Sequence, residues 1–125
     1  MKPPSNEPAI RVTMRPKDTN ALGSIFGGVI TSLIDEAAFV EASRQAPRKY
    51  VTVAMDKIEF HKPVKVGDIV SLWAQTLRIG RTSITMRVDV LARSRGSDEE
   101  VKVTTAEVTM VSTDDSGRPM RIFSD

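Results

Sequence analysis

Cysteine is absent from the 125-residue chain, which excludes disulfides, thiol nucleophiles and cysteine metal sites. Aromatic residues make up only 5%, so there are few platforms on which nucleobases could stack. Basic residues are spread along the chain rather than gathered in a block, and the net charge is only +2. Together these features predict no nucleic-acid partner. No apolar run approaches the ~20 residues that a membrane-spanning helix needs. The opening stretch, Met1 to Pro8, is polar and proline-rich and lacks the apolar core of a signal peptide. The expectation is a cytoplasmic protein with no membrane partner. There is a single histidine, His61, and no cluster of histidine with acidic residues, so no metal site is expected.

What the chain does contain is 40% hydrophobic and 27% charged residues, the balance of one globular domain. Residues 1–9 are expected to be a flexible segment, 10–119 the domain, and 120–125 a tail. Ile10, Val12 and Met14 alternate with Arg11, Thr13 and Arg15, the period of a half-buried strand. From Gly27 to about Gln45, Ile30, Leu33, Ile34, Ala37 and Ala38 recur at helical spacing. Val29, Phe39 and Val40 broaden that stripe, which predicts a helix enclosed on most sides. Pro47 disfavours helical geometry at Ala46 and ends it.

The remainder reads as four strands with hairpin connections: "YVTVAMDKIEF", "IVSLWAQTLRI", "SITMRVDVLAR" and "VKVTTAEVTMVS". One strand, one long helix and four further strands predict an α+β domain in which a curved antiparallel sheet wraps the helix. Such a sheet has exposed edges and a second face that a short chain covers poorly. Self-association is therefore expected.

Asp35 interrupts the apolar run of the helix. Its neighbours at helical spacing are Gly28, Thr31, Ser32, Ala38, Phe39 and Ala42, which include no lysine or arginine. A carboxylate held there is expected to be partly desolvated, which favours its use as a base. The plainer alternative is a boundary aspartate hydrogen-bonded to Thr31 or to solvent. At the helix start, the Gly27-Gly28 pair leaves amides without intrahelical partners, at the positive end of the helix dipole. With no side chains in the way, a carbonyl can approach them closely. Tight helix packing is the simpler reason for the same glycines. Eight residues separate Gly27 from Asp35, or ~12 Å at ~1.5 Å per residue. One carbonyl cannot reach both. If both serve one substrate they must come from two chains with antiparallel helices side by side, as a two-fold dimer provides.

The stretches "TNALGSIFGGVITSLIDEAA", "VTVAMDKIEFHKPVKVGD", "RIGRTSITMRV" and "TDDSGRP" resemble the hotdog-fold acyl-CoA thioesterases of the bacterial short-chain acyl-CoA hydrolase group. The resemblance runs from about Ile10 to Pro119. It implies a hotdog fold and hydrolysis of acyl-CoA to free fatty acid and CoA, with CoA as part of the substrate and no separate cofactor. Asp35 then falls on the acidic base or nucleophile, Gly27 on the oxyanion-binding amide, and Asn20 on a residue that helps hold carbonyl or water. Gly28, Lys62, Arg81, Thr82 and Ser83 are the implied CoA-binding positions. A dimer assembled into a trimer of dimers is implied as well. One departure is Ser24, where the group often carries aspartate or asparagine.

Two other readings remain open at this level. A dehydratase of the same fold would want a histidine at the helix entrance, where Phe26 stands. A non-catalytic acyl-CoA sensor would keep the groove, usually without the helix carboxylate. His61 lies beyond a strand, with no Ser-His-Asp set around it, and reads as a strand-end histidine near the surface.

Overall fold

The structure, a computed structural model, describes residues 1–123. Its elements are β1 (Ile10–Thr13), α1 (Gly27–Gln45), β2 (Lys49–Phe60), β3 (Ile69–Ile79), β4 (Ser83–Arg93) and β5 (Glu100–Thr113). All neighbouring strands are antiparallel, in the order β1-β3-β4-β5-β2. The core lies between the helix and one face of this sheet. Ile30, Ile34, Ala37, Ala38 and Ala42 of α1 meet Leu72, Ile84, Met86, Val88, Val90, Val108 and Met110 of the sheet. The small residues on the helix let it lie close to the β-branched rows beneath it. The helix stops as Pro47 requires: Ala46 is extended, at φ −158° and ψ 136°.

The strand connections differ from the expectation in one place. β3–β4 and β4–β5 are antiparallel neighbours, but β2 does not form a hairpin with β3. It crosses to the far edge and pairs with β5. The cause is that β1 occupies the outer side of β3, so the strand after the helix has to close the opposite edge. From β2 to β3 is three strand spacings, ~14 Å at ~4.8 Å each, and the eight residues His61–Asp68 reach that easily. Two register shifts interrupt β2, between Thr52 and Ala54 and between Asp56 and Glu59. Lys57, within the second, has φ +52°, the left-handed region that side chains seldom adopt. These irregularities twist the end of β2 toward the start of the helix.

The helix is less enclosed than its composition suggests. Phe39 and Val40 are 47% and 42% exposed, and Val51 and Val53 on the outer edge of β2 are 48% and 56% exposed. The breadth of the apolar stripe therefore exceeds what this chain's own sheet covers. Only one flank of α1 packs against the core.

Both ends of the chain carry more contacts than their polar composition suggests. The backbone N–H of Lys2 donates to Gln45 Oε1 at 2.7 Å, Arg44 Nη2 donates to the Pro3 carbonyl at 2.9 Å, and Ala9 N–H donates to the Leu72 carbonyl at 2.8 Å. Ile122 is fully buried in the core, and its N–H donates to the Arg81 carbonyl. Lys2, Pro3, Ala9, Met120 and Ile122 thus hydrogen-bond to the domain, which composition does not reveal; residues 124 and 125 of the expected tail lie outside the described residues.

At the far end of α1, Glu41 is a buried acid that the sequence analysis did not single out. It accepts hydrogen bonds from Arg44 at 2.8 and 3.1 Å, from Thr76 at 2.7 Å and from Gln45 at 3.1 Å. Burial pushes its pKa up, but these donors and the Arg44 charge together hold it below the usual glutamate value. A lowered folded pKa stabilises fully above the unfolded value, near 4.5, and that contribution is lost as the pH falls through the folded value. Glu41→Ala is expected to cost about 2 to 3 kcal/mol, less than for a pair buried on both sides, because Arg44 can turn to solvent. Thermal melting should fall by roughly 10 °C near neutral pH. The gap between variant and wild type should narrow below about pH 4. A melting point within 2 °C or so of wild type would remove Glu41 from this role.

Candidate active site

The chain before the helix is folded so as to present its first amides. Asn20 Oδ1 accepts from the N–H groups of Leu22 at 2.8 Å and Ser24 at 3.1 Å, and Asn20 N–H donates to the Ser24 carbonyl at 2.7 Å. Gly23, at φ +84°, closes this turn in a conformation that glycine adopts without strain. Phe26 N–H then donates to the Asp18 carbonyl, and Ile25 N–H to that of Val64. No side chain caps α1 and its first turn contains no acid. Val29 and Ile30 N–H groups go to the Phe26 carbonyl. The Gly27 and Gly28 amides have no acceptor among the described residues. They are orphaned donors at the positive end of a 19-residue helix.

Gly27 lines a cavity of about 370 Å³ with Ser24, Ile30, Phe60, His61 and Lys62 among its other walls. The Phe60 ring covers Gly27, and a Cβ built at Gly27 would lie 3.5 Å from it, in ordinary contact. His61 is exposed, immediately beyond β2, and its N–H donates to the Val103 carbonyl at 2.7 Å.

Asp35 lies elsewhere. It is half-buried, and Thr52 Oγ1 of β2 donates to its Oδ1 at 2.5 Å. Thr31 is not its partner: that hydroxyl donates to the Gly28 carbonyl at 3.2 Å. One carboxylate oxygen is thus held from the sheet, and the other has no hydrogen-bond partner among the described residues. The surrounding cavity, about 630 Å³, is walled by Leu33, Phe39, Val40, Tyr50 and Met110, with Arg11 and Glu36 at its polar margin. Burial raises the pKa of the Tyr50 phenol, which donates to the Ala46 carbonyl at 2.8 Å and stays protonated.

Within one chain, then, the structure brings Gly27 together with Lys62 and His61, and it holds Asp35 apart from them. Gly28 opens on a third cavity, beside Arg15, Lys17 and Ser32. Arg81 is exposed at the β3–β4 turn, beside Gly80 and Phe123. Thr82 and Ser83 are half-buried in the same turn, where their carbonyls accept from Ser112 and Gly80 N–H groups. Two neighbours escaped the sequence analysis, Thr52 against Asp35 and Phe60 over Gly27. Both depend on the register of β2, which its bulges shift.

The profile of the thioesterase superfamily matches residues 22–99. An uncharacterized acyl-CoA thioester hydrolase of Zymomonas mobilis is 43% identical over 119 residues, spanning 95% of this chain and 80% of that protein. A hexameric hotdog-fold thioesterase of Campylobacter jejuni superposes with a TM-score of 0.88 at 40% identity, over 94% of this chain and 91% of that one. A hexameric thioesterase of Yersinia pestis does so with a TM-score of 0.89 at 37% identity, over 98% and 99%. Sheet order, central helix and sequence agree: the chain belongs to the thioesterase superfamily and has its hotdog fold.

Proposed function

We propose that the protein is an acyl-CoA thioesterase, hydrolysing acyl-CoA to free acid and CoA at sites shared between two copies of the chain. The observation that carries this reading is the orphaned Gly27 amide, set in a different cavity from the Asp35 carboxylate. The exposed apolar edge of β2 and the uncovered flank of α1, with Phe39 and Val40, support a second copy docking there. Antiparallel helices would then set one chain's Gly27 against the other's Asp35, twice per two-fold dimer. A trimer of such dimers is the assembly proposed, as the two structural neighbours are hexamers.

In this reading the thioester carbonyl accepts from the Gly27 amide, and the Asn20 side-chain N–H₂, whose oxygen is engaged by the loop, adds a second donor. Negative charge developing on the carbonyl oxygen is stabilised by these donors and by the helix dipole. Asp35 takes a proton from water as the water oxygen adds to the carbonyl carbon, or adds to that carbon itself to give an anhydride that water cleaves. In either route the C–S bond breaks and the sulfur leaves as CoA thiol. CoA enters as substrate, and neither route draws on a cofactor.

Thiol release from a panel of acyl-CoA esters tests the reading. Turnover of at least one ester well above background supports it, and tight binding without turnover would favour the sensor instead. Lys62, at the mouth of the Gly27 cavity, and Arg81, at the exposed turn, are proposed to meet the phosphates of CoA. Arg81→Ala is expected to raise KM for acyl-CoA about five- to tenfold, with little change in kcat. It should leave the matching acyl-pantetheine, which lacks the nucleotide, almost unaffected. Equal losses on both substrates would take Arg81 out of the nucleotide site.

A further inference from the structure

Phe26, the last residue before α1, is 51% exposed, and it lines none of the Gly27, Gly28 and Asp35 cavities of its own chain. The backbone that presents it is firmly held. Phe26 N–H donates to the Asp18 carbonyl at 2.9 Å, and the Phe26 carbonyl accepts from Val29 and Ile30. Four residues earlier, Leu22 is 89% exposed in the turn that Asn20 closes. Two large apolar side chains thus stand uncovered ahead of the helix.

A second uncovered pair, Phe39 and Val40, lies further along α1. Glu36, Phe39 and Val40 share one face of the helix, at i, i+3 and i+4. All three are exposed, and all three line the Asp35 cavity. That cavity, about 630 Å³, therefore has solvent along the edge they form.

The pairing of Gly27 with the partner's Asp35 fixes how these two groups meet. An antiparallel helix pair in that register is centred on Thr31, midway between positions 27 and 35. It sets Phe26 against the partner's Glu36, and the segment back to Leu22 runs toward the partner's Val40. Gly28, Thr31 and Ser32 near the centre are small, which lets two helices approach closely there. The carbon on which Asp35 acts also carries the acyl chain, so the acyl arm starts in the Asp35 cavity. The CoA arm leaves on the other side, past Gly27 and Lys62.

We propose that Phe26 of one chain roofs the Asp35 cavity of the other and is a specificity-determining residue for the acyl group. The proposal rests on the shared-site thioesterase reading and deepens it. The ring closes the open edge beside Phe39 and Val40, shields a bound short acyl chain from water, and blocks the way out for a longer one.

The test compares butyryl-CoA with decanoyl-CoA. Phe26→Ala should raise the decanoyl-to-butyryl ratio of kcat/KM about tenfold over wild type. Phe26→Trp should lower that ratio, which keeps the test decisive if the alanine variant fails to assemble. A ring that merely holds the two chains together would lose activity on both esters alike, and an unchanged ratio in both variants overturns the proposal. Placement is read separately by cross-linking, since the chain has no cysteine of its own. A short bismaleimide should join two chains that each carry Phe26→Cys and Glu36→Cys. It should join neither single variant, whose like positions lie ~15 Å apart along the paired helices at ~1.5 Å per residue. No covalent dimer from the double variant also overturns the proposal. If the wild type cleaves neither ester, the thioesterase reading fails. The affinities of both esters for Asp35→Asn protein, with and without Phe26→Ala, then still decide the role of Phe26.

Discussion

Asp35→Asn is expected to lower kcat for acyl-CoA hydrolysis by about 100-fold or more while leaving fold and assembly intact. Asparagine keeps the shape of the side chain and an oxygen that can still accept from Thr52 Oγ1, so the link between α1 and β2 survives. In the proposed mechanism, what disappears is the oxygen that takes up a proton or attacks carbon. The loss should then fall on kcat more than on KM, because the carboxylate is proposed to act on the reacting atoms rather than on the CoA nucleotide. Thr52→Val offers a graded comparison. It keeps the carboxylate but frees its orientation, and should cost less than Asp35→Asn. A folded Asp35→Asn protein with turnover near that of wild type would remove Asp35 from the chemistry.

Much of the fold was legible because it is written in local periodicity. The helix from Gly27 to Gln45, the alternation of Ile10 and Val12, and the rows Ile84–Met86–Val88–Val90 are short-range patterns, and the structure has them where the spacing puts them. The path of β2 was not legible. Which edge it joins depends on β1 already occupying the outer side of β3, a long-range fact that no window of neighbouring residues contains. The exposed flank of α1 was likewise hidden, since Phe39 and Val40 look like core in a sequence whether their cover comes from the same chain or another.

For the site, the glycine pair and the isolated carboxylate stood out by type and spacing. Their distance along one helix was enough to raise the question of a second chain. Thr52 and Phe60 did not stand out. Each reaches a residue of α1 from β2, and in a strand whose register shifts twice the residues facing the helix cannot be counted off. Glu41 escaped for a different reason. Its immediate neighbours Phe39, Val40, Ala42 and Ser43 are like those of Asp35, but Arg44 at i+3 sets it apart, and the donors from Gln45 and from Thr76 of β3 complete its role as a structural acid.

The claim that one active site draws on two chains is tested by mixing two inactive parents. One is Asp35→Asn. The other is Gly27→Val, whose side chain would extend past the 3.5 Å contact with Phe60 into the cavity where the carbonyl must lie. Gly27 does not have a positive φ, so valine is compatible with its backbone. Obstructing the proposed oxyanion donor should itself cost about 100-fold or more. In a mixed dimer, one interface site inherits both substitutions and the other inherits neither. Unfolding the two proteins together and reassembling them should therefore restore hydrolysis, up to about half the wild-type activity per mixed dimer if the sites act independently. If Gly27 and Asp35 worked within a single chain, every site would keep one defect. Demonstrably mixed dimers that remain as inactive as their parents would contradict the shared site.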